Sequence, residues 1–585
     1  MAMQGLCIVV TPLIALMKDQ VEALRSKNIP ALMLNSTMTH KEVNTVLQLA
    51  VSDKYKFLYL SPERLQTNLF AQYLPAINVC LIAVDEAHCI SQWGYDFRPP
   101  YLQIASLRNE KPNAPILAVT ASATAMVQAD IIEKLTLSNV KIFKKNFERP
   151  NVSYSAYNEP DKLTKIQAIL AAVQGTAIIY CSSRKATQLL SAQLIQLGYS
   201  SSHYHAGLTS EQRSILQQNW MQGNTRIMVC TNAFGMGIDK PNVRLVIHYT
   251  PPDSIESYYQ EAGRAGRDEQ KAYAVLLYNE ADIALLQTKP ETKYPPIDTL
   301  KNIYLSISNY LQVAAGAGYN ESYTFDLASF CTTLQLQATT VINSLGILCN
   351  HALLQYSTDN AYQQSTVFIS ATRDGLTQYD GTNINLANLI KTLLRNYQGI
   401  RDVTTTISEK NLAYLLHTDI AIVQNQLLQL HQHGVLIYQA ANHNTQITYL
   451  QPRFAAKDFA IDIALYTRLK KNYIYKVSQI ISYLSNTTLC RSVSISNYFN
   501  SEHKSNCGVC DNCVNANRQK ANTAQLLALK NKVVAQLNTT PQITINTLQV
   551  GLNKHAATQL QQVINQLITE EIIVIENNHL TLVKK

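Results

Sequence analysis

Residues 79–88 read Val-Cys-Leu-Ile-Ala-Val-Asp-Glu-Ala-His, an apolar run followed at once by two carboxylates. A short run of this kind is typical of a strand that is buried on both faces of a parallel sheet. Asp85 and Glu86 then lie at the carboxyl end of the strand, where such sheets carry their catalytic groups. One carboxylate there can hold Mg²⁺ through water, and its neighbour can orient a water for phosphoryl transfer. The tetrapeptide that ends at His88 is equally consistent with a solvated helix start.

Comparable apolar runs on both sides of this stretch predict two tandem parallel-sheet domains. Spacers of helix length separate the runs, which indicates helices on both faces of each sheet. We predict a partial first domain at 1–146 and a second domain at 147–289. The other runs lie at 6–10, 31–34, 57–60, 116–119, 177–180, 227–230, 243–248 and 272–278.

The composition describes a folded chain of about three to five domains. Apolar residues make up 46% and charged residues 15%, which disfavours disorder. The formal charge of +9 favours polyanionic partners. No run of 18 apolar residues occurs, so we expect no membrane partner. Seven cysteines scattered through apolar segments predict a reduced, cytoplasmic protein.

A second motif supplies cationic groups. Residues 260–267 read Gln-Glu-Ala-Gly-Arg-Ala-Gly-Arg. The small residues allow a helix to approach a facing domain, and Arg264 and Arg267 are expected to project on one side of it. Arginine can neutralise the charge that builds on a γ-phosphate. The alternative is a basic helix face in ordinary ion pairs.

These motifs belong to an ordered series, from residue 6 to about 280, that resembles the RecQ family of superfamily 2 DNA helicases. The resemblance implies two RecA-like domains and an ATP-dependent 3′–5′ helicase of DNA repair and recombination. It also implies ATP and Mg²⁺ as cofactors, with single-stranded DNA and forks or duplex junctions as partners; the repair proteins are not identified. Further matching segments are 11–20, 61–65, 120–124, 179–184 and 234–241.

The resemblance assigns roles to individual residues. The implied catalytic set is Asp85, Glu86, His88, Gln260, Arg264 and Arg267. The implied nucleotide-binding set is Asp85, Gly237, Asp239, Arg264 and Arg267. The implied DNA-binding set is Thr11, Trp93, Phe97, Arg98, Arg184 and Thr231.

Residues 90–101 resemble the aromatic-rich loop of RecQ proteins and read Ile-Ser-Gln-Trp-Gly-Tyr-Asp-Phe-Arg-Pro-Pro-Tyr. Aromatic rings and an arginine directly after the carboxylates offer stacking faces and a phosphate contact. We therefore expect the loop to report bound single strand to the ATP site. The alternative is an aromatic core cluster. The family usually has His where this chain has Tyr95.

A phosphate loop of the form Gly-x-x-x-x-Gly-Lys-Ser/Thr does not occur, because no glycine of the chain is followed by lysine. In the family, that loop and an adenine-reading Gln precede the segment that resembles 11–20. We expect the chain to begin inside its first domain, with an unpaired sheet edge. We also expect this chain alone to be ATPase-dead or severely impaired. The alternative function is a non-catalytic DNA-binding fragment or pseudoenzyme; a zinc-containing transcription regulator would leave 1–280 unexplained.

Four cysteines cluster late in the chain. Cys490 precedes Cys507, Cys510 and Cys513, and two overlapping Cys-x-x-Cys steps plus a remote fourth thiol suit tetrahedral Zn²⁺. The spacing also resembles the zinc module of RecQ proteins. We predict a structural zinc module at 460–515, with a disulfide or redox site as the alternative.

Three further segments, 341–356, 423–438 and 563–583, share an amphipathic helix, a reversal and a β-branched strand. This pattern is typical of winged-helix units, although a core-facing helical stripe explains it as well. We predict winged-helix-like units at 296–365 and 376–455, and a C-terminal winged helix at 520–585. Its hairpin tip at 576–579 is either a strand-separating element or a plain turn. We expect linkers at 288–296 and 358–364.

Overall fold

The computed structural model describes residues 3–35, 38–94, 97–235, 238–357, 365–371, 376, 383–440, 445–501, 505–549, 554–576 and 579–583. The chain forms two compact units. The first contains 1–121, 126–140 and 285–475, and the second contains 122–125, 141–284 and 476–585. The predicted fold class, two parallel sheets followed by winged-helix units and a cysteine module, is confirmed.

The first unit contains a five-stranded parallel sheet in the order β2-β3-β1-β4-β5. Its strands are β1 (Leu6–Val10), β2 (Ala31–Leu34), β3 (Phe57–Leu60), β4 (Val79–Val84) and β5 (Ile116–Ala118). The helices of this segment are α1 (Ile14–Ser26), α2 (His40–Val51), α3 (Asn68–Tyr73), α4 (Ser106–Glu110) and α5 (Ala125–Lys134). Short 3₁₀ turns cover Pro62–Gln66, Leu74–Ala76, Ala87–Ile90 and Pro99–Ala105.

The register of this sheet aligns the carboxyl ends of its central strands. Val10 lies opposite both Leu60 and Val84, so β1, β3 and β4 end at one level. Strand β5 is one edge of the sheet, because it pairs with β4 and with no other described strand. Leu117 and Val119 there are 49% and 46% exposed, so this edge presents apolar surface.

The second unit contains a six-stranded parallel sheet in the order β6-β11-β10-β7-β9-β8. Its strands are β6 (Val152–Asn158), β7 (Thr176–Tyr180), β8 (Ser201–Tyr204), β9 (Ile227–Cys230), β10 (Val243–His248) and β11 (Ala272–Tyr278). The helices between them are α6 (Lys162–Ala172), α7 (Arg184–Gln196), α8 (Ser210–Gln222) and α9 (Ile255–Ala262). The two strands that the apolar runs did not predict, β6 and β8, lie at the sheet edges and carry more polar residues.

Helix α10 (Glu280–Lys293) covers most of the segment that is expected to be a linker. The linker prediction at 288–296 is therefore wrong as far as Lys293. Pro290 lies inside the helix and is buried with Leu286. Packing of an apolar face stabilises a helix more than local propensity does, which explains the outcome. The second predicted linker, 358–364, lies outside the described residues.

Two winged-helix-like elements in the first unit are nested. The outer one contains α11 (Ile297–Tyr310), β12 (Ser322–Thr324), α12 (Leu327–Thr333), α13 (Ala338–Asn350), β13 (Leu354–Ser357) and β17 (Gln446–Tyr449). The inner one contains β14 (Thr366–Ile369), α14 (Ile384–Asn396), β15 (Thr405–Thr406), α15 (Glu409–Leu415), α16 (Ile420–Gln432) and β16 (Leu436–Gln439). Strand β17 pairs with β12 and β13, so the inner element is inserted between two strands of the outer sheet. The sequence prediction placed β17 in the second of two consecutive units.

The tail contains the cysteine module and a third three-stranded sheet. Its elements are α17 (Ile463–Ser485), α18 (Arg491–Tyr498), α19 (Asp511–Thr539), β18 (Ile543–Thr544), α20 (Ile545–Gln549), α21 (Lys554–Thr569), β19 (Ile573–Glu576) and β20 (His579–Leu582). Strands β19 and β20 form an antiparallel hairpin, as predicted. Two of the four residues of its tip lie outside the described residues. None of the described helices combines the length and apolarity that a bilayer crossing requires.

Candidate nucleotide, DNA and zinc sites

Asp85 lies at the carboxyl end of β4, directly beside the end of β1. Its Oδ2 accepts a hydrogen bond from Thr11 Oγ1 at 3.5 Å, and its Oδ1 accepts one from the Glu86 amide at 3.0 Å. The Tyr101 hydroxyl donates to the Asp85 carbonyl at 3.0 Å. Burial raises the pKa of Asp85 above its usual value, and hydrogen bonds from Glu86, Gln20 and Thr11 oppose that shift. The structure therefore holds this carboxylate in a fixed orientation.

Glu86 follows in a left-handed backbone conformation, with φ of 47°. Such a conformation is uncommon for a residue other than glycine and is a form of strain found at functional sites. Its Oε2 lies 3.3 Å from Nδ1 of His88, which is fully buried. The same nitrogen lies 3.1 Å from Oγ1 of Thr120, just beyond β5. Three sequence-predicted groups, Asp85, Glu86 and His88, thus meet at one sheet end.

The aromatic-rich loop is fixed at two points within the first unit. Arg98 Nη1 donates to the Pro12 carbonyl at 3.0 Å, which attaches the loop to the segment after β1. The guanidinium of Arg468 lies 4.3 Å from the ring centroid of Trp93. The Trp93 carbonyl accepts from Asn472 Nδ2 at 3.4 Å. Phe97 is half-buried, and Tyr95 lies outside the described residues.

The arginine motif in the second unit differs from the predicted helix. Helix α9 ends at Ala262, so Arg264 and Arg267 lie in the turns that follow it. Gly266 has φ of +59°, and an added Cβ would lie 2.6 Å from Asn151 Nδ2, so the backbone there requires glycine. Both guanidinium groups still converge, because each donates to the Ile238 carbonyl, at 3.4 Å from Arg264 and 3.1 Å from Arg267.

The two arginines have different surroundings. Arg264 is 7% exposed and lies against Gly235, where an added Cβ would be 3.1 Å from Nη2. Arg267 pairs with Asp239 at 2.7 Å, and the two side chains are 38% and 81% exposed. Gln260 Nε2 donates to Ser122 Oγ at 2.9 Å. Gly237 lies outside the described residues.

The remaining predicted DNA contacts lie at other strand ends of the second sheet. Arg184 begins α7 after β7, and its guanidinium fits against Gly207, where a Cβ would be 2.9 Å from Nη1. Thr231 follows β9, and its amide donates to the Tyr204 carbonyl at 3.2 Å. Nothing in the described contacts joins either residue to the arginine motif.

The four predicted cysteines form one cluster. All four Sγ atoms lie within 4.8 Å of one another, and those of Cys490 and Cys510 are 3.9 Å apart. Tetrahedral zinc with bonds of about 2.3 Å gives sulfur–sulfur edges of roughly 3.8 Å, so the geometry fits. Amides of Arg491, Cys507, Cys510 and Cys513 donate to cluster sulfurs at 3.3–3.4 Å. Hydrogen bonds from the Cys507 and Cys510 thiols lower the pKa of Cys490, which favours a thiolate.

Comparison with known families gives four matches along the chain. Residues 2–131 match the DEAD/DEAH box helicase family, and residues 161–269 match the helicase conserved C-terminal domain. Residues 367–440 match the RecQ helicase winged-helix domain, Bacteroidota, and residues 457–514 match the RecQ zinc-binding domain. The chain belongs to the RecQ helicase family. The winged-helix match coincides with the inner nested element, and the zinc-binding match contains all four cysteines, which supports Zn²⁺ as their metal.

Individual RecQ proteins show the same relationship. The ATP-dependent DNA helicase RecQ of Haemophilus influenzae is 45% identical over 304 residues, covering 51% of this chain and 49% of that protein. The RecQ protein of Pasteurella multocida is 43% identical over 303 residues, covering 51% and 48%. The helicase SGS1 of Saccharomyces cerevisiae is 40% identical over 298 residues, covering 48% and 20%. The chain spans about half the length of the two bacterial RecQ proteins.

Sequence reasoning missed the partners of the predicted RecQ residues. Ser122 accepts from Gln260, and Arg468 and Asn472 hold Trp93. Asn472 and Trp93 are 379 positions apart, so no local signal could pair them. The one available hint was the run of basic and aromatic residues at 468–476.

Proposed function

We propose that this RecQ chain carries the motor and DNA-binding parts of an ATP-dependent DNA helicase that moves 3′ to 5′ in DNA repair and recombination. The hydrogen-bonded group of Asp85, Glu86, His88 and Thr120 at the end of the first sheet carries the proposal. It sets two carboxylates at the end of β4, a strand inside the sheet, with the second held by a buried histidine. That arrangement suits metal–nucleotide binding and orientation of an attacking water.

The proposed nucleotide roles follow from these contacts. Asp85 would hold Mg²⁺, which would neutralise phosphate charge when bound. Glu86 orients the attacking water, and His88 fixes its carboxylate. Arg267 leaves its exposed partner Asp239 at little cost, since exposed ion pairs are worth about 0–1 kcal/mol. It can then stabilise charge on a γ-phosphate together with Arg264, while Gln260 and the segment around Gly237 contact the nucleotide.

The proposed DNA roles concern single strands and forks. Trp93 and Phe97 offer stacking faces, and Arg98 joins their loop to the end of β1. Thr11, Arg184 and Thr231 follow parallel strands and contact phosphates of the tracked strand. The zinc module and the C-terminal winged helix grip duplex DNA at the junction. None of the eleven cysteines, all of which belong to the described residues, forms a disulfide, and four of them form the zinc cluster, which favours a reducing, cytoplasmic location.

A second function is favoured by one specific observation. The 585 residues contain no Gly-Lys pair and therefore no phosphate loop of the usual form. Such a loop supplies the N–H groups and the lysine that hold the β- and γ-phosphates. Without them, this polypeptide would bind DNA through its zinc module and winged helices and would hydrolyse ATP poorly or not at all.

One experiment separates the two functions. The purified chain is assayed for binding of single-stranded DNA and for ATP hydrolysis with and without that DNA. Glu86→Gln is the test variant, and Glu133→Gln, whose carboxylate is 75% exposed, is the matched control. DNA-stimulated turnover that only Glu86→Gln abolishes supports the motor and refutes the second function. DNA binding without turnover supports the second function, and the absence of DNA binding refutes both.

A further inference from the structure

Helix α17 holds the aromatic-rich loop from one face. Arg468 and Asn472 are four residues apart, so they project from the same side of the helix. The first covers the indole of Trp93 at 4.3 Å, and the second binds the Trp93 carbonyl at 3.4 Å. Within the loop, the Trp93 amide donates to Ser91 Oγ at 3.2 Å. The ring and the main chain of one residue are thus fixed together.

The part of α17 that makes these contacts is itself anchored to the first unit. The Tyr466 hydroxyl donates to the carbonyls of Tyr294 at 3.1 Å and Pro295 at 2.7 Å, and its side chain is 6% exposed. Lys470 pairs with Glu291 at 2.8 Å. Arg468 therefore projects from a fixed support. Because Arg468 is held in this way, its contact with the Trp93 ring can fix the orientation of that ring.

We propose that Arg468 and Asn472 are positioning residues that hold the Trp93 indole in the orientation in which a base of single-stranded DNA stacks on it. The guanidinium lies over one face of the ring, a base would stack on the other, and stacking on an aromatic ring tolerates any base sequence. Arg468 acts through Trp93. This inference rests on the proposed DNA function of the loop.

Intrinsic fluorescence, measured without DNA, tests whether Arg468 and Asn472 hold the Trp93 indole in place. The chain contains two tryptophans, and Trp220 is fully buried. Acrylamide quenching therefore reports mainly on half-buried Trp93. Arg468→Met and Asn472→Ala should increase that quenching. Lys471→Met, which removes an exposed charge at the neighbouring position, should not. Equal quenching in all variants would overturn the proposal.

A double-variant cycle tests whether the Trp93 indole, held in this way, contributes to binding of single-stranded DNA. The measurement is binding of a labelled oligothymidylate of about 20 nucleotides, which is long enough to cover at least one single-strand binding site. Arg468→Met should weaken it about twofold to fivefold beyond the loss in Lys471→Met, as expected for one cation–π contact. In a Trp93→Ala background, Arg468→Met and Lys471→Met should weaken oligonucleotide binding equally. Arg468→Lys keeps the charge but not the planar stack, and should recover part of the loss.

The outcomes are distinguishable. An Arg468→Met effect that persists in the Trp93→Ala background would mean a direct phosphate contact and would overturn the positioning role. Normal DNA binding with no effect of Arg468→Met would overturn it too, while leaving the proposed function intact. Failure of the unaltered chain to bind the oligonucleotide would refute the proposed function itself.

Discussion

Replacement of Asp511 by asparagine should release the zinc module from the second sheet. Asp511 directly follows Cys510 of the cysteine cluster, and its carboxylate accepts hydrogen bonds from Nε and Nη2 of Arg491 at 3.0 and 3.1 Å. It also accepts from the Ala156 amide on β6 at 2.9 Å. Arg491 is 2% exposed, so the substitution leaves a buried guanidinium without its counter-charge.

Breaking a buried pair from one side costs about 3–5 kcal/mol. With a urea dependence of about 2 kcal/mol per molar, the midpoint should fall by roughly 1.5–2.5 M. The assay is zinc release into a chromogenic chelator as urea increases, because it reports on this module alone in a chain of several domains. The matched control is Glu570→Gln, which breaks the more exposed Lys530–Glu570 pair of the adjoining winged helix. That change should cost no more than about 1 kcal/mol.

The double variant Asp511→Asn, Arg491→Met gives an independent check. Removing both charges leaves no buried charge without a counter-charge, so part of the lost stability should return. If Asp511→Asn released zinc at the same urea concentration as Glu570→Gln, the pair would not hold the module and the reasoning would fail.

Three further predictions concern zinc and packing. Removal of zinc by a chelator should lower the melting temperature of the tail by circular dichroism, and added zinc should restore it; an unchanged melting curve would contradict a structural metal. Gly266→Ala should destabilise the second unit by about 1–3 kcal/mol beyond Gly223→Ala in chemical denaturation. Both glycines have positive φ, but only a Cβ at Gly266 meets nearby atoms, so equal effects would refute the steric argument. Phe499→Ala should cost about 3–5 kcal/mol because its buried ring stacks on Phe147 at 4.3 Å, whereas Phe143→Ala, at a 90% exposed ring, should cost almost nothing.

The predictable parts of the fold are the strands whose residues must be apolar because both faces of the strand are covered. Central strands such as β1 and β9 are buried along their whole length, and their apolar runs marked them at the observed bounds. Edge strands β6 and β8 need less apolar surface, so the same criterion missed them. The nested winged-helix elements depend on the pairing of β17 with β13, a long-range contact that local patterns do not encode.

The candidate site divides in the same way. Asp85 and the four cysteines were predictable, because strand ends and ligand spacing are local properties. The conformation of Gly263 to Arg267 was not, since the motif resembles a helix but α9 ends before it. The support of Trp93 by Arg468 was equally hidden, because it joins a loop of the first sheet to a helix in the zinc-binding segment.

The contacts at the carboxyl end of the first sheet separate metal binding from hydrolysis. Thr11, the Glu86 amide and His88 orient the two carboxylates with groups of the first unit alone. That orientation does not depend on a phosphate loop. Phosphoryl transfer also needs donors that stabilise charge on the phosphates, since positioning and electrostatics supply most of its catalysis. Carboxylates without those donors can hold a cation yet leave the transition state unstabilised. The choice between a motor and a DNA-binding protein therefore depends on the phosphate donors and not on the carboxylate cluster.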